Sequence, residues 1–297
     1  KSNYVAAIVA GCICPAGADI DTLGIQITAN GRHKAVLLYD TEQSEVQLFK
    51  NVSNLLARAK QPDKPDELKA FCLTGMSRKE RLNAIVQSMD KFYYQYGGIQ
   101  LVVIDGIADL VKSANDEAES VAVIDELYRL AGIYNTCILC VLHFVPNGLK
   151  LRGHLGSELQ RKAATILSIE KDEEPTQSVV KALKVRDGSP LDVPLMLFAW
   201  DKEAGMHVYK GEKPREEKEK RKERELVNVA RDIFGRQTRI TYIDLCEQLQ
   251  QVLDIKERTA KSYIRFMRER DIITKDTANQ SCFVIGSYNL QRNASCP

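Results

Sequence analysis

The sequence predicts an α/β domain on a mostly parallel sheet, followed by a small domain of three helices and a β-hairpin. Three observations carry this. Apolar runs of strand length at 35–39, 68–73, 101–104 and 137–142 alternate with amphipathic stretches of helix length, the order that winds a parallel sheet between helices. The run Leu101-Val102-Val103-Ile104 shows no polar alternation and ends on Asp105, as expected of a strand covered on both faces. Residues 209–225, YKGEKPREEKEKRKERE, are dense in both charges and nearly free of apolar side chains, which marks a domain boundary. The expected division is 1–208, a charged linker at 209–225, and 226–297.

Composition narrows the function classes. A chain of 297 residues with 44% hydrophobic and 28% charged residues has room for one large and one small core. The net charge of +2 gives no global argument for a nucleic-acid partner, so any such argument has to be local. No apolar run reaches membrane-spanning length. The opening Lys1-Ser2-Asn3-Tyr4 has none of the regions of a signal peptide, and a chain that does not begin with Met reads as a fragment or a processed chain. Eight cysteines, six of them among apolar neighbours, fit a reduced, cytoplasmic setting. Cys137 and Cys140 have CxxC spacing inside a strand-like run. Residues three apart on a strand face opposite ways, which makes a poor shared metal site.

Taken in order, residues 1–11 begin a helix that is soon buried, with Gly11 placed to end it. Lys-Ser before a helix matches the last two positions of a P-loop, GxxxxGK[ST], whose Lys reaches phosphates and whose hydroxyl ligates Mg²⁺. The glycine portion of that motif would lie upstream of Lys1. Leu23 to Ala29 reads as a short helix or strand. The strand at 35–39 runs into Asp40-Thr41-Glu42, where a carboxylate either starts a surface turn or acts as general base on water. Glu45 to Ala59 reads as an amphipathic helix with Val46, Leu48, Phe49, Val52, Leu55 and Leu56 on one side. Ser77-Arg78-Lys79-Glu80 is a capping box that opens a helix closed by Gly97-Gly98.

Asp105 either begins a turn before Gly106 or holds Mg²⁺ beside a phosphate, at the sheet edge where open α/β folds bind ligands. A helix over 116–135 leads to the strand 137–142 and then to His143, which either satisfies a backbone carbonyl or senses a terminal phosphate. The loop at 144–156 carries Lys150, Arg152 and His154 on a glycine-bearing segment, suited to nucleic-acid backbone or simply to solvent. A helix at 157–164 and strands at 165–169, 179–185 and 193–200 follow, and they predict an antiparallel extension of the sheet.

Beyond the charged segment, helices at 226–234, 241–253 and 256–270 and a hairpin at 272–285 make a winged helix-turn-helix. Its third helix carries Lys256, Arg258, Lys261, Arg265, Arg268 and Arg270 against Glu257 and Glu269, an excess of positive charge where a recognition helix needs it. A winged helix that binds protein is the alternative.

Over residues 1 to about 200 the chain resembles the RecA-like P-loop ATPases, in particular the RepA and DnaB type of hexameric helicase of plasmids and mobile elements. The residues that carry the resemblance are Lys1-Ser2, VLLYDTE at 36–42, LVVIDGIADL at 101–110, His143, the segment 149–172 and Lys184-Val185-Arg186-Asp187-Gly188. The resemblance implies ATP and Mg²⁺ as cofactors. Lys1 and Ser2 would serve phosphate and metal, Asp105 the metal, Glu42 the attacking water and His143 phosphate sensing. Lys184 and Arg186 would reach a neighbouring subunit's nucleotide, in a homo-oligomer for which a hexamer is the form to look for. Single-stranded DNA would meet the ATPase domain at Lys150 and Arg152, and duplex DNA would meet the winged helix. The departure is the missing glycine nest, without which phosphate affinity should fall, so that this stretch alone is expected to be inactive. The expected function is an ATP-dependent DNA-binding motor. The rival is a non-enzymatic replication or transcription regulator that uses the RecA-like domain as nucleotide sensor or scaffold; a helicase loader is a third option.

Overall fold

The computed structural model describes residues 1–143, 153–172, 174–213, 218–235 and 237–287, and the chain divides into two compact units, Lys1–Pro214 and Arg215–Pro297. The first unit opens with α1 (Ser2–Ile13), β1 (Ala35–Asp40), α2 (Glu45–Arg58), β2 (Leu68–Cys72) and α3 (Arg78–Tyr96). It continues through β3 (Ile99–Asp105), a 3₁₀ turn (Ile107–Leu110), α4 (Glu117–Ile133), β4 (Cys137–Val141) and α5 (Gly153–Lys162). Strands β1 to β4 form one parallel sheet in the order β2-β1-β3-β4.

The two central strands, β1 and β3, carry unbroken apolar runs because helices cover both of their faces. The twofold alternation of a strand then sorts their side chains. Val36, Leu38, Leu101 and Val103 pack with α1 and α2 residues such as Ala7, Ile8 and Leu55. Leu37, Tyr39, Val102 and Ile104 pack with Ile85 and Met89 of α3 and with Ile124 and Leu127 of α4. Each fully buried aliphatic side chain contributes about 1.5–3 kcal/mol, so these layers hold the sheet edge rigid.

Local signals set the helix ends. Ser77 and Glu80 form the expected capping box, and Gly97, left-handed at φ 64°, closes α3. Asp116 caps α4 by accepting from Glu119 N.

Several expectations are corrected. Gly11 does not end α1, which runs on to Ile13. A Cβ there would lie 2.6 Å from Ile27 Cγ1, so the glycine serves close packing. Residues 23–29 form neither helix nor strand. Val46 and Phe49 lie on the solvent side of α2, 67% and 74% exposed, while Leu48 and Leu55 are buried. The predicted antiparallel extension is a separate four-stranded sheet, β5 (Thr165–Lys171), β6 (Gln177–Val185), β7 (Leu195–Asp201) and β8 (Met206–Lys213), paired in that order. It shares the α1-side core through Val180, Met196 and Phe198. Its last strand takes up residues 209–213, which the charge pattern had assigned to a linker. An edge strand tolerates such charges because only one of its flanks is paired.

In the second unit α6 (Lys218–Phe234) begins inside the charged stretch, followed by β9 (Ile240–Thr241), α7 (Tyr242–Leu253), α8 (Glu257–Glu269), β10 (Ile273–Lys275) and β11 (Cys282–Ile285). The strands form one antiparallel sheet in the order β10-β11-β9. Leu226, Ala230, Leu245, Leu249, Ile264, Met267 and Phe283 make its core. Among the described residues no helix is long and apolar enough to cross a membrane.

Candidate functional site

Sheet register creates the site. Asp40 at the end of β1 pairs with Asp105 at the end of β3, and Asp105 pairs with Val141 at the end of β4. Two residues beyond Asp40 is Glu42, and two beyond Val141 is His143. These two side chains meet across the end of β3, with His143 Nε2 3.5 Å from Glu42 Oε2.

The crossing is made possible by Gly106. Its φ of +100° lies in the left-handed region, and a Cβ there would stand 2.3 Å from Thr41 Oγ1 and 2.6 Å from Glu42 Cγ. Only glycine adopts that backbone and leaves that space. Thr41, itself buried, uses the opening to donate its hydroxyl to Gly106 O at 2.8 Å and to Asp105 O at 3.1 Å. Asp40 is buried as well, and its Oδ1 accepts the backbone N–H groups of Glu42 (3.0 Å) and Gln43 (2.9 Å). This Asx turn fixes where Glu42 points. The sequence offers Asp40 only as one of two candidate carboxylates at this strand end, and gives Thr41 and Gly106 no role in the site. An Asp two residues before a candidate acid, and a Gly directly after another, were the available signals.

The electrostatics are those of an incompletely neutralised acidic edge. Burial, and then the neighbouring Asp40 and Glu42 carboxylates, push the Asp105 carboxyl above its usual range, while Lys1 pulls it back. Partial burial lowers the Lys1 ammonium against the opposing pull of Glu42 and Asp105. Lys1, Glu42, Asp105 and His143, which are distant in sequence, therefore share one edge. Ser2 is the exposed first residue of α1 beside them, where first-turn amides and the helix dipole favour an anion. A half-buried carboxyl crowded by like charges suits a hard divalent cation such as Mg²⁺, which prefers oxygen ligands. Among the described residues no cluster of three or more His, Cys, Asp or Glu forms a metal cage.

Other candidates lie elsewhere. Lys184 Nζ donates to the carbonyls of Gln160 (2.6 Å) and Arg161 (3.3 Å), and Arg186 donates to Lys162 O (3.2 Å). Both cations thus cap the C-terminal end of α5, a favourable place for positive charge. Lys150 and Arg152 fall outside the described residues. On α8, Lys261 pairs with Glu257 and Arg265 with Glu269, and Arg268 lies 5.9 Å from the Phe283 ring. Lys256 occupies the N-cap position without a side-chain capping bond, and Arg258 sits in the first turn.

Residues 5–147, just under half of the chain, match the family model described as an AAA domain, a family of P-loop ATPases. The match takes in α1 from Val5 onward, the whole parallel sheet, and Glu42, Asp105 and His143 of the acidic edge, while Lys1 and Ser2 precede it; it points to a nucleotide-binding ATPase module, a type that usually works with Mg²⁺. No curated protein matches the chain.

Proposed function

We propose that the protein is an ATP-dependent, DNA-binding motor of the RepA-like helicase type. The observation that carries the hydrolytic part is the meeting of Glu42 and His143 over Asp105 at the carboxyl edge of the parallel sheet. ATP would lie with its phosphates at the start of α1, against Lys1. Bound Mg²⁺, held by Asp105 and Ser2, would supply charge neutralisation for the phosphates. Glu42, aimed by the Asp40 turn, would orient the attacking water and accept its proton. His143, within reach of Glu42, would couple that carboxylate to the presence of the terminal phosphate. Lys184 and Arg186 would complete the site of a neighbouring subunit in a homo-oligomer, where they would trade their α5 contacts for phosphate contacts.

The second unit supports a winged-helix reading. Three helices and a three-stranded antiparallel sheet occur in the order helix, strand, helix, helix, strand, strand, and the basic third helix α8 would enter a duplex groove. Its ion pairs with Glu257 and Glu269 are exposed and weak, so phosphate can displace them.

The test is ATP hydrolysis by the full-length protein, alone and with single-stranded DNA, together with strand unwinding. Glu42→Gln should lower the hydrolysis rate by about 10²–10⁴-fold while nucleotide still binds. Activity per subunit should rise with protein concentration if Arg186 acts in trans. Sequence-specific duplex binding without hydrolysis or unwinding would overturn the motor and support the regulator.

A further inference from the structure

A cation-lined cleft lies on the opposite face of the same sheet edge. A cleft of about 950 Å³ opens between the start of α3, the 3₁₀ turn with the segment after it, and the first turns of α4. Four cations line it, Arg78, Lys79, Arg81 and Lys112, against two acids, Asp109 and Glu119. Their engagements differ. Arg81 is held in place: Nε donates to Leu73 O and Met76 O at 3.0 Å each, one terminal nitrogen to Thr74 O (3.2 Å), and the other to Asp109 O (3.3 Å). Its guanidinium also lies 3.7 Å from the Asp109 carboxylate. Glu119 accepts the backbone N–H of Lys112. Arg78, Lys79 and Lys112 are exposed and have no acidic partner among the described residues.

Three unpaired cations converging on one cleft keep a positive potential there, because the low-dielectric walls focus it. The α3 start does not supply this attraction, since its first turn is closed by its own capping box. Among the described residues none that lines the cleft is aromatic, and the side chains that do line it suit phosphate better than stacked bases.

The cleft is also wired to the acidic edge. Arg81 holds Leu73 O, Leu73 N donates to Asp40 O at 2.8 Å, and Asp40 Oδ1 receives Glu42 N. On its other side Arg81 holds Asp109, in the 3₁₀ turn that begins two residues after Asp105. A ligand that shifts Arg81 therefore acts on both strand ends that carry the candidate catalytic acids.

We propose that this cleft binds the phosphate groups of a polyanion through Arg78, Lys79 and Lys112, and that its occupancy reaches Glu42 through Arg81. The binding claim stands on the cleft alone, whereas the coupling claim rests on the hydrolytic reading above. The same phosphate chemistry is offered by a single-stranded nucleic-acid backbone and by small polyphosphates.

The test uses the full-length protein and two probes, a fluorescein-labelled oligothymidylate followed by anisotropy and inorganic pyrophosphate followed by calorimetry. Arg78→Gln with Lys79→Gln should weaken at least one probe tenfold or more at fixed salt. For the oligonucleotide, it should flatten the log affinity against log salt slope by about 1.4, at ~0.7 per lost single-strand phosphate contact. Loss of oligonucleotide affinity assigns the cleft to a nucleic-acid backbone, and loss of pyrophosphate affinity alone assigns it to small polyphosphates. Affinities within twofold of the parent for both probes would overturn the site.

For the coupling, Arg81→Lys should keep probe affinity within threefold and reduce the stimulation of ATP hydrolysis by the bound probe at least fivefold. Asp109→Asn, which loses only the carboxylate contact, should do the same more weakly if Arg81→Lys fails to fold. Full stimulation in the folded variants would overturn the coupling. A protein without any ATP hydrolysis would sink the motor reading and the coupling, while the binding measurements still decide the cleft.

Discussion

Replacing Gly106 with Ala tests the central claim that one backbone position lets two strand ends cross. The residue sits at φ +100°, and an L side chain in the left-handed region costs about 1–2 kcal/mol. The new Cβ would fall 2.3 Å from Thr41 Oγ1, far inside contact distance, so the threonine hydroxyl must leave Gly106 O and Asp105 O. That adds about 1 kcal/mol for a lost buried hydrogen bond. The expected total is about 2–3 kcal/mol. For a unit of this size it corresponds to a fall in Tm of about 4–12 °C, at ~2–4 °C per kcal/mol. Trp200, the single tryptophan, lies on β7 within the first unit, so its fluorescence in urea or on heating reports that unit's unfolding. Gly106→Asn separates the two contributions, because Asn tolerates the left-handed backbone yet still carries a Cβ. If the contact with Thr41 matters, Asn should recover less than half of the loss. A Gly106→Ala loss below about 0.5 kcal/mol, the range of an unconstrained surface change, would refute the account of the strand crossing.

Other outcomes follow from the same geometry. Thr41→Val should cost about 1 kcal/mol, less than Gly106→Ala, in the same fluorescence assay. Asp105→Asn should stabilise the metal-free protein at neutral pH. The native carboxyl is held above its unfolded value, so the folded state binds more protons and the parent loses stability as pH rises through that window. The difference between variant and parent, measured by thermal denaturation in chelator, should shrink on acidification towards and below the ordinary carboxylate range. Arg58 is buried and donates to Asp21 O and His207 O. Arg58→Leu should therefore destabilise the first unit by about 2–4 kcal/mol, because two carbonyls lose a charged donor, and equilibrium unfolding measures this. Phe49→Ser should change the stability of isolated subunits by less than about 0.5 kcal/mol, since the ring is 74% exposed.

Much of the fold was legible because its signals are local or strictly periodic. The runs at 35–39 and 101–104 could only be strands covered on both faces, and Ser77 with Glu80, Asp116 and Gly97 fix helix ends through bonds to their own neighbours. Two acids at strand ends were visible for the same reason, since a parallel sheet delivers every strand's carboxyl end to one edge. The helical face of α2 was not legible. Val46 and Phe49 are as apolar as Leu48 and Leu55, and only the neighbours of α2 decide which stripe is covered. The charged residues 209–213 were read as a linker because pairing with β7, a nonlocal event, is what makes them a strand.

The sequence by itself determined which residues end the strands and therefore which acids lie at the sheet edge. Only the tertiary structure decided how they meet. The Asp40–Asp105–Val141 register, the space left by Gly106 and the turn held by Asp40 join chain segments some 100 residues apart in sequence, Glu42 and His143 among them. It also decided that Lys184 and Arg186 rest on the carbonyls of α5. The physical reason is that pairing across strands and exclusion between a Cβ and a distant side chain depend on position in space, to which a linear pattern of residue types is blind.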